Sequence, residues 1–260
     1  MKLHIEHRTR YRYDRPVSHT IQHLRLTPQS GMGQTVLHWK IKVRGRISKH
    51  LDSYGNLIHT LVLPEPHDEI EILASGEVET DCELIAAQDN LPAALFLRKT
   101  LLTETSPELL EFCSAFRGAP AAQLDDLVDA ILARVGYMRG ITDVQTGAAE
   151  AFAAGAGVCQ DHAHIFIACC RTLGIPARYV SGYLFTADGS LCESHAWADA
   201  WDGNRWVSYD VSNGQRAHAF HVRLAHGLDY RDACPIAGIR RGGGNEAMLA
   251  SVQICQMQQQ

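Results

Sequence analysis

Apolar and polar positions alternate from the second residue onward. In Lys2–Tyr13, Leu3, Ile5, His7, Thr9, Tyr11 and Tyr13 fall on one face, with Lys2, His4, Glu6, Arg8, Arg10 and Arg12 on the other. That period of two belongs to a strand with one wet face. Thr35–Val43 repeats it, setting Leu37, Trp39, Ile41 and Val43 against His38, Lys40 and Lys42. Tyr54-Gly55-Asn56 marks a turn before the β-rich run Leu57–Leu63, and alternation resumes over Glu69–Glu79 after Pro64 and Pro66. Short strands separated by turn signals predict a β-sandwich or small barrel, read as a separate N-terminal domain over residues 1–88.

The period changes near residue 90, where a second domain, residues 89–260, is expected to begin. Ser106-Pro107 offers a cap followed by proline at the first helical position, and Leu109, Leu110, Cys113 and Phe116 then recur at helical spacing up to Gly118. Leu124, Leu127, Val128, Ile131, Leu132 and Val135 form the strongest helical stripe and stop at Gly136. Ala148–Ala154 reads as a short helix that Gly155-Ala156-Gly157 interrupts. A new helix starts near Val158 or Cys159 and ends at Gly174, with Pro176 beyond. A strand (Ala177–Thr186), a hairpin (His195–Asp210), a long irregular stretch and a last strand (Ala247–Cys255) complete the pattern.

Composition narrows the function. The 260 residues carry 24 Lys+Arg against 29 Asp+Glu, a net charge of -5, and no basic run makes a footprint for nucleic acid. No apolar stretch reaches the roughly 18–20 residues that span a bilayer, and Met1–Pro16 lacks the apolar core of a secretory signal. The eight cysteines show no scaffold spacing, and Cys169 and Cys170 are adjacent, so reduced thiols in a cytoplasm are the expectation.

Cys159 has a setting that the other cysteines lack. A glycine-flexed turn feeds it into the first turn of a long helix, where unpaired N–H groups and the positive dipole end bias a thiol toward thiolate and offer donors to an oxyanion. Most cysteines are inert core residues, and Cys169 and Cys170, mid-helix in an apolar run, read that way. A nucleophile needs a base held by a third group. His195, Trp197, Asp199 and Trp201 share one face of a strictly alternating strand, and Asp202-Gly203 is the favoured pair for a two-residue hairpin turn. That turn pairs Trp201 with Asn204 and sets His195 directly opposite Asp210. A four-residue loop shifts the pairing by two and sets Ser212 there instead; the two-residue turn is the preferred reading. Taken singly, His195 reads as an ordinary strand histidine and Asp210 as a turn cap, and the conjunction with Cys159 is what points to a nucleophilic site.

Two rivals are weaker. Cys159, Asp161, His162 and His164 lie within six residues, but on a helix His164 points away from the face shared by Cys159 and His162, and no second ligand cluster follows at zinc-finger spacing. Dipole and capping account for Asp161. Gly242-Gly243-Gly244 lacks the phosphate-loop pattern and reads as a glycine loop.

Gly157-Val158-Cys159-Gln160-Asp161, followed by Leu173-Gly174-Ile175-Pro176-Ala177-Arg178-Tyr179-Val180-Ser181-Gly182-Tyr183, resembles the core motif of bacterial transglutaminase-like proteins. His195-Ala196-Trp197 and Asp210 to Asn213 resemble that superfamily's second and third motifs. The opening strands and Arg241-Gly242-Gly243-Gly244 resemble the bacterial branch with an N-terminal β domain, so the resemblance spans nearly the whole chain. It implies an α+β fold, the N-terminal β-sandwich followed by a papain-like α+β catalytic domain, with Cys159 as nucleophile, His195 as general base and acid, and Asp210 as orienting carboxylate. The implied chemistry is acyl transfer on an amide of a peptide through a thioester, with peptidase or amidase action favoured over protein cross-linking. Tyr137 and Gln160 stand where cleft or oxyanion support is expected. No cofactor or metal is implied, since the calcium loops of animal transglutaminases have no visible counterpart. The resemblance further implies a functional link to peptide-ligase (ATP-grasp-like) proteins. His162 departs from the bulky apolar residue expected at its position. The competing reading is a non-catalytic peptide-binding or scaffold protein that retains the fold.

Overall fold

The computed structural model describes residues 1–81, 91–118, 124–186 and 194–257. Cys82, Cys192, the boundary expected after residue 88 and the Gln258–Gln260 tail lie outside the described residues. In chain order the elements are β1 (Lys2–Leu24), β2 (Gln34–Val43), β3 (Arg46–Leu51), β4 (Leu57–Leu63) and β5 (His67–Thr80). Helices α1 (Pro107–Ser114) and α2 (Asp125–Arg134) follow, then β6 (Gly136–Tyr137), α3 (Ala148–Ala154), β7 (Ala156–Gly157) and α4 (Cys159–Thr172). The remainder is β8 (Ala177–Leu184), β9 (Ser194–Trp201), β10 (Trp206–Asp210), β11 (Gln215–Arg216), β12 (His221–Gly227), α5 (Tyr230–Ala233), β13 (Ile236–Gly242) and β14 (Glu246–Gln256).

The long first strand changes partners midway. Its first half pairs with β5 on one side and β14 on the other, and its second half with β4 and β13. The register shifts between Arg12 and Val17, which bends the strand as bulges do. The expected sandwich is therefore one antiparallel sheet of seven strands folded on itself, closed over Tyr11, Val17, Leu24, Leu61, Ile70 and Ile72. Gly242, Gly243 and Gly244, all at positive φ, carry the chain from β13 to β14 past that bend, a conformation open chiefly to glycine. The end of the chain thus completes the N-terminal sheet.

The middle of the chain builds a second sheet in the order β11-β10-β9-β8-β12, and α4 packs against β8 and β9. Helices α1, α2 and α3 surround α4 over a core that includes Leu109, Leu127, Ile131, Phe152, Phe166 and Tyr209. Local signals started these helices as the pattern predicts. The Leu109 N–H donates to the Ser106 hydroxyl at 3.2 Å, and Gly155 closes α3 in the left-handed conformation at φ 65°.

Two expectations need correction. The stretch after the hairpin is not irregular throughout, because His221–Gly227 is the edge strand β12. Its residues are mostly buried on both faces, so no alternation marks it in the sequence. The hairpin register is the other. Trp201 pairs with Trp206, Ala200 with Val207 and Ala198 with Tyr209, so the loop is the four residues Asp202–Arg205. The Asn204 and Arg205 N–H groups donate to Asp202 Oδ1 at 2.8 and 2.7 Å, a side-chain turn that competes with the tight one. The tryptophan rings meet edge to face at 5.4 Å, a cross-strand gain that the shorter loop forfeits.

The two sheets meet along β12. Gln34 Nε2 donates to the Arg223 carbonyl at 3.0 Å and accepts from the Arg223 N–H through Oε1 at 2.8 Å. Asn56 does the same at His226, at 2.7 and 2.9 Å. Each side-chain amide stands in for a neighbouring strand and satisfies an edge that is otherwise unpaired. Beside them, Leu3, Ile5, Val78 and Val252 of the first sheet pack on Tyr183, Val222 and Leu224 of the second.

Candidate active site

Cys159 is the first residue of α4 and is half-buried. Three features hold it there. Asp161 Oδ2 accepts from the Val158 N–H at 2.7 Å and from the Thr142 hydroxyl at 2.6 Å, a cap that fixes the turn entering the helix. Gly157 lies against this carboxylate so closely that a Cβ there would sit 2.6 Å from Asp161 Cβ. The pair β6–β7 ties Tyr137 beside Gly157, with the Met138 N–H donating to the Gly157 carbonyl at 2.8 Å. Burial pushes the Asp161 carboxyl up, against the Thr142 and Val158 bonds that pull it down. The Asp161 N–H turns back to the Val158 carbonyl at 3.0 Å, and Cys159 and Gln160, whose N–H groups precede the first helical bond, both line the cleft.

His195 on β9 lies within hydrogen-bonding reach of Cys159. Its Nε2 stands 2.9 Å from Asp210 Oδ2, with the carboxylate fully buried and the ring 11% exposed. Asp210 is not directly across from His195. Continuing the observed register places it beside Trp197, and the two meet as diagonal neighbours on one face, within reach of long side chains. The sequence reading set His195 and Asp210 on one face through the wrong register, and they still meet because a shift of two preserves the face. Burial opposes the charged ring, but the Asp210 and Cys159 contacts outweigh it and raise His195 to about 10. Burial likewise opposes the charged Asp210, and its bonds to His195 and His221 hold it well below the usual carboxylate range. Both directions describe an ion pair retained at neutral pH.

Asp210 has further donors: Asn213 Nδ2 at 2.7 Å, Ser212 Oγ at 3.2 Å, Gln215 Nε2 at 3.4 Å and His221 Nε2 at 2.9 Å. Sequence reasoning missed His221, whose strand went unrecognised. Residues 218–220 form the turn that leads into β12, and no periodic pattern marks that strand. His195, Asp210 and His221 offer ligand atoms within 4.8 Å of one another, the spacing of a cation site. The donors fit one poorly. The His218 N–H donates to His221 Nδ1 at 3.2 Å, which leaves the proton on Nε2, the nitrogen that a cation would need.

The earlier metal candidates are separated. His162 is buried with Nδ1 2.9 Å from the Val158 carbonyl and Nε2 3.1 Å from the Val135 carbonyl, so this departure from an apolar residue ties α4 to the end of α2. His164 Nε2 accepts from the Tyr230 N–H at 3.2 Å, and burial lowers that ring to about 4. Cys169 and Cys170 are buried in the core, as expected of them. Tyr137 and Gln160 both line the cleft with Cys159 and His195, alongside Arg139, Ser181 and Tyr230, around a volume of about 370 Å³. Tyr137 is half exposed and stacks on His162 at 6.3 Å.

A papain-like α+β core with a cysteine at a helix start defines the class. Residues 112–211 match the transglutaminase-like superfamily, and residues 3–79 match the bacterial transglutaminase-like N-terminal region. The chain is a transglutaminase-like superfamily protein carrying the bacterial N-terminal β region. An uncharacterized protein of Mycobacterium leprae is 28% identical, covering 98% of this chain and 99% of its own length. An uncharacterized protein of Mycobacterium tuberculosis is 29% identical, over 92% of this chain and 87% of its own. The fold also matches a crystal structure from Cytophaga hutchinsonii, described as a candidate cysteine protease, with a TM-score of 0.80 and 24% identity, covering 100% of this chain and 92% of that one.

Proposed function

We propose that the protein is a cysteine-dependent enzyme that cleaves amide bonds in peptides through a thioester, with Cys159, His195 and Asp210 as its triad. The observation that carries this reading is the meeting of the Cys159 thiol and the His195 ring at the wall of one cleft, with the buried Asp210 carboxylate 2.9 Å behind that ring. Cys159 Sγ attacks the carbonyl carbon, and the helix-start N–H groups receive the charge that develops on oxygen. Asp210 occupies Nε2 of His195, so Nδ1 faces the thiol and delivers its proton to the departing amine as the C–N bond breaks. Water then attacks the thioester while His195 takes its proton, and the acid and thiolate are released. An added amine competes at the same step. We assign hydrolysis as the main outcome, because the open cleft admits water, and amine transfer as the minor one. Arg139 and the tyrosines give the cleft polar and aromatic walls suited to a peptide segment. We place the enzyme in the cytoplasm: the described cysteines are free thiols, and the nucleophile must stay reduced. No helix among the described residues is long and apolar enough to cross a membrane.

The test is turnover of a fluorogenic peptide amide panel by wild type, Cys159→Ala and Cys169→Ala, with and without methylamine. The reading expects activity to vanish in the first variant and persist in the second, with acid as the main product. Equal turnover by wild type and Cys159→Ala on a substrate that the enzyme processes would overturn it.

A further inference from the structure

Among the described residues, one buried polar group beside the proposed triad has no role in the chemistry above. His221 is about 1% exposed, opens the edge strand β12, and donates from Nε2 to the same Asp210 oxygen that faces His195. We propose that His221 is a positioning residue of this site: a second, neutral donor that fixes the Asp210 carboxylate against His195 and is itself set by the N-terminal region through β12.

Three observations carry this. The first is the tautomer. The His218 N–H points at Nδ1 from 3.2 Å and the His221 N–H donates to the His218 carbonyl at 2.8 Å, so the Nε2 proton can only serve Asp210. The second is packing. Trp197 meets the His221 ring edge to face at 5.2 Å, and His218 does so at 5.1 Å, so the ring has no second orientation to adopt. The third is anchoring. Two residues on, Arg223 has its N–H and carbonyl both held by Gln34 of the N-terminal sheet, and its guanidinium donates to Asp199 at 2.8 and 2.9 Å. The start of β12 is thereby tied to the N-terminal sheet and to Asp199 on β9, the strand that carries His195. Burial keeps His221 below its ordinary range despite Asp210, and His195 and His218 push the same way, so it adds no charge to the pair.

The inference rests on the proposed triad, and its test separates the two. Titratable groups facing His195 and Asp210 are Cys159 from α4 and His221 from β12, with His218 set against His221. In His221→Phe the carboxylate loses one donor but stays ionised, so the electronic change at His195 is small and the loss of alignment dominates. The His195 titration, followed by NMR of ring-labelled protein, should fall below its wild-type value as the Asp210 contact that raises it loses alignment. The kcat should drop roughly 10- to 100-fold, the worth of one hydrogen bond to a charged acceptor, with KM nearly unchanged. His221→Gln retains an amide donor and an acceptor for the His218 N–H, and should restore both readouts most of the way. Thermal melts identify any variant that fails to fold, and the glutamine variant then decides. A His195 titration and kcat unchanged in His221→Phe, or glutamine no better than phenylalanine in a folded protein, would overturn the inference. The titration needs no turnover, so a wild type inactive on every amide tried would sink the triad reading without touching this result.

Discussion

The Asp210 side chain receives Ser212, Asn213, Gln215 and His221 as hydrogen-bond donors and His195 as a charge partner. Such crowding fixes the sign of two pH effects. Asp210 titrates below its ordinary range, so its stabilisation is present above the unfolded carboxylate range and is lost as pH falls beneath it. His195 is raised to about 10, so its contribution is full below an unfolded value of about 6.5 and is lost as pH climbs through about 10. Denaturant melts across pH should therefore show loss in both acid and strong alkali, and Asp210→Asn should flatten the alkaline arm. The same variant should cost on the order of 10⁴ in kcat by analogy with other triads, while circular dichroism stays native. Gly157 makes a complementary prediction. A Cβ there meets the Asp161 side chain at 2.6–2.9 Å, so Gly157→Ala should lower stability by about 1–3 kcal/mol and displace Cys159. A thermal shift without loss of iodoacetamide reactivity at Cys159 would show that the cap does not position the thiol.

At the level of elements, legibility followed how local the cause was. Helix α4 was readable to within a residue because Gly157, Asp161 and Gly174 signal its ends in the chain itself. Strand β9 was readable from its alternation. The hairpin loop was not, because the choice between two and four residues turned on Trp201 meeting Trp206 and on Asp202 capping its own loop. Strand β12 was invisible for a stronger reason. Its pattern answers to two partners, β8 on one side and the Gln34 and Asn56 side chains on the other, and these are remote in sequence. Its dependence on those amides is measurable. Gln34→Leu strips the Arg223 N–H and carbonyl of their partners, at roughly 1–3 kcal/mol for each buried group left unmatched. Urea unfolding should show that loss, and Asn56→Leu should show a similar one. A cost within error of zero for both would mean that water or a shifted strand replaces them.

Across the whole molecule, the first and last parts of the chain are one structure. Strands β13 and β14 run along β1, and Val252 of β14 joins Leu3, Ile5, Tyr183 and Val222 in the core between the sheets. The His7 ring bonds the Tyr183 hydroxyl at 2.8 Å within that core. Two autonomous units joined by a linker would unfold separately; this arrangement predicts a single calorimetric transition for the intact chain. It also predicts that residues 89–260, made alone, fail to give soluble folded protein, since β13 and β14 would lack their partner strand and β12 would present a bare edge. A well-dispersed NMR spectrum from that fragment would contradict the prediction.

The central claim, that Cys159 carries an acyl group during turnover, is tested most directly by intact-protein and peptide mass spectrometry after rapid acid quench of the enzyme with a peptide amide. The expected result is a mass increase equal to the acyl fragment, mapped to Cys159, lost on adding methylamine and absent in Cys159→Ala. Turnover with no adduct in the wild type, or an adduct on another residue that persists in Cys159→Ala, would contradict the account.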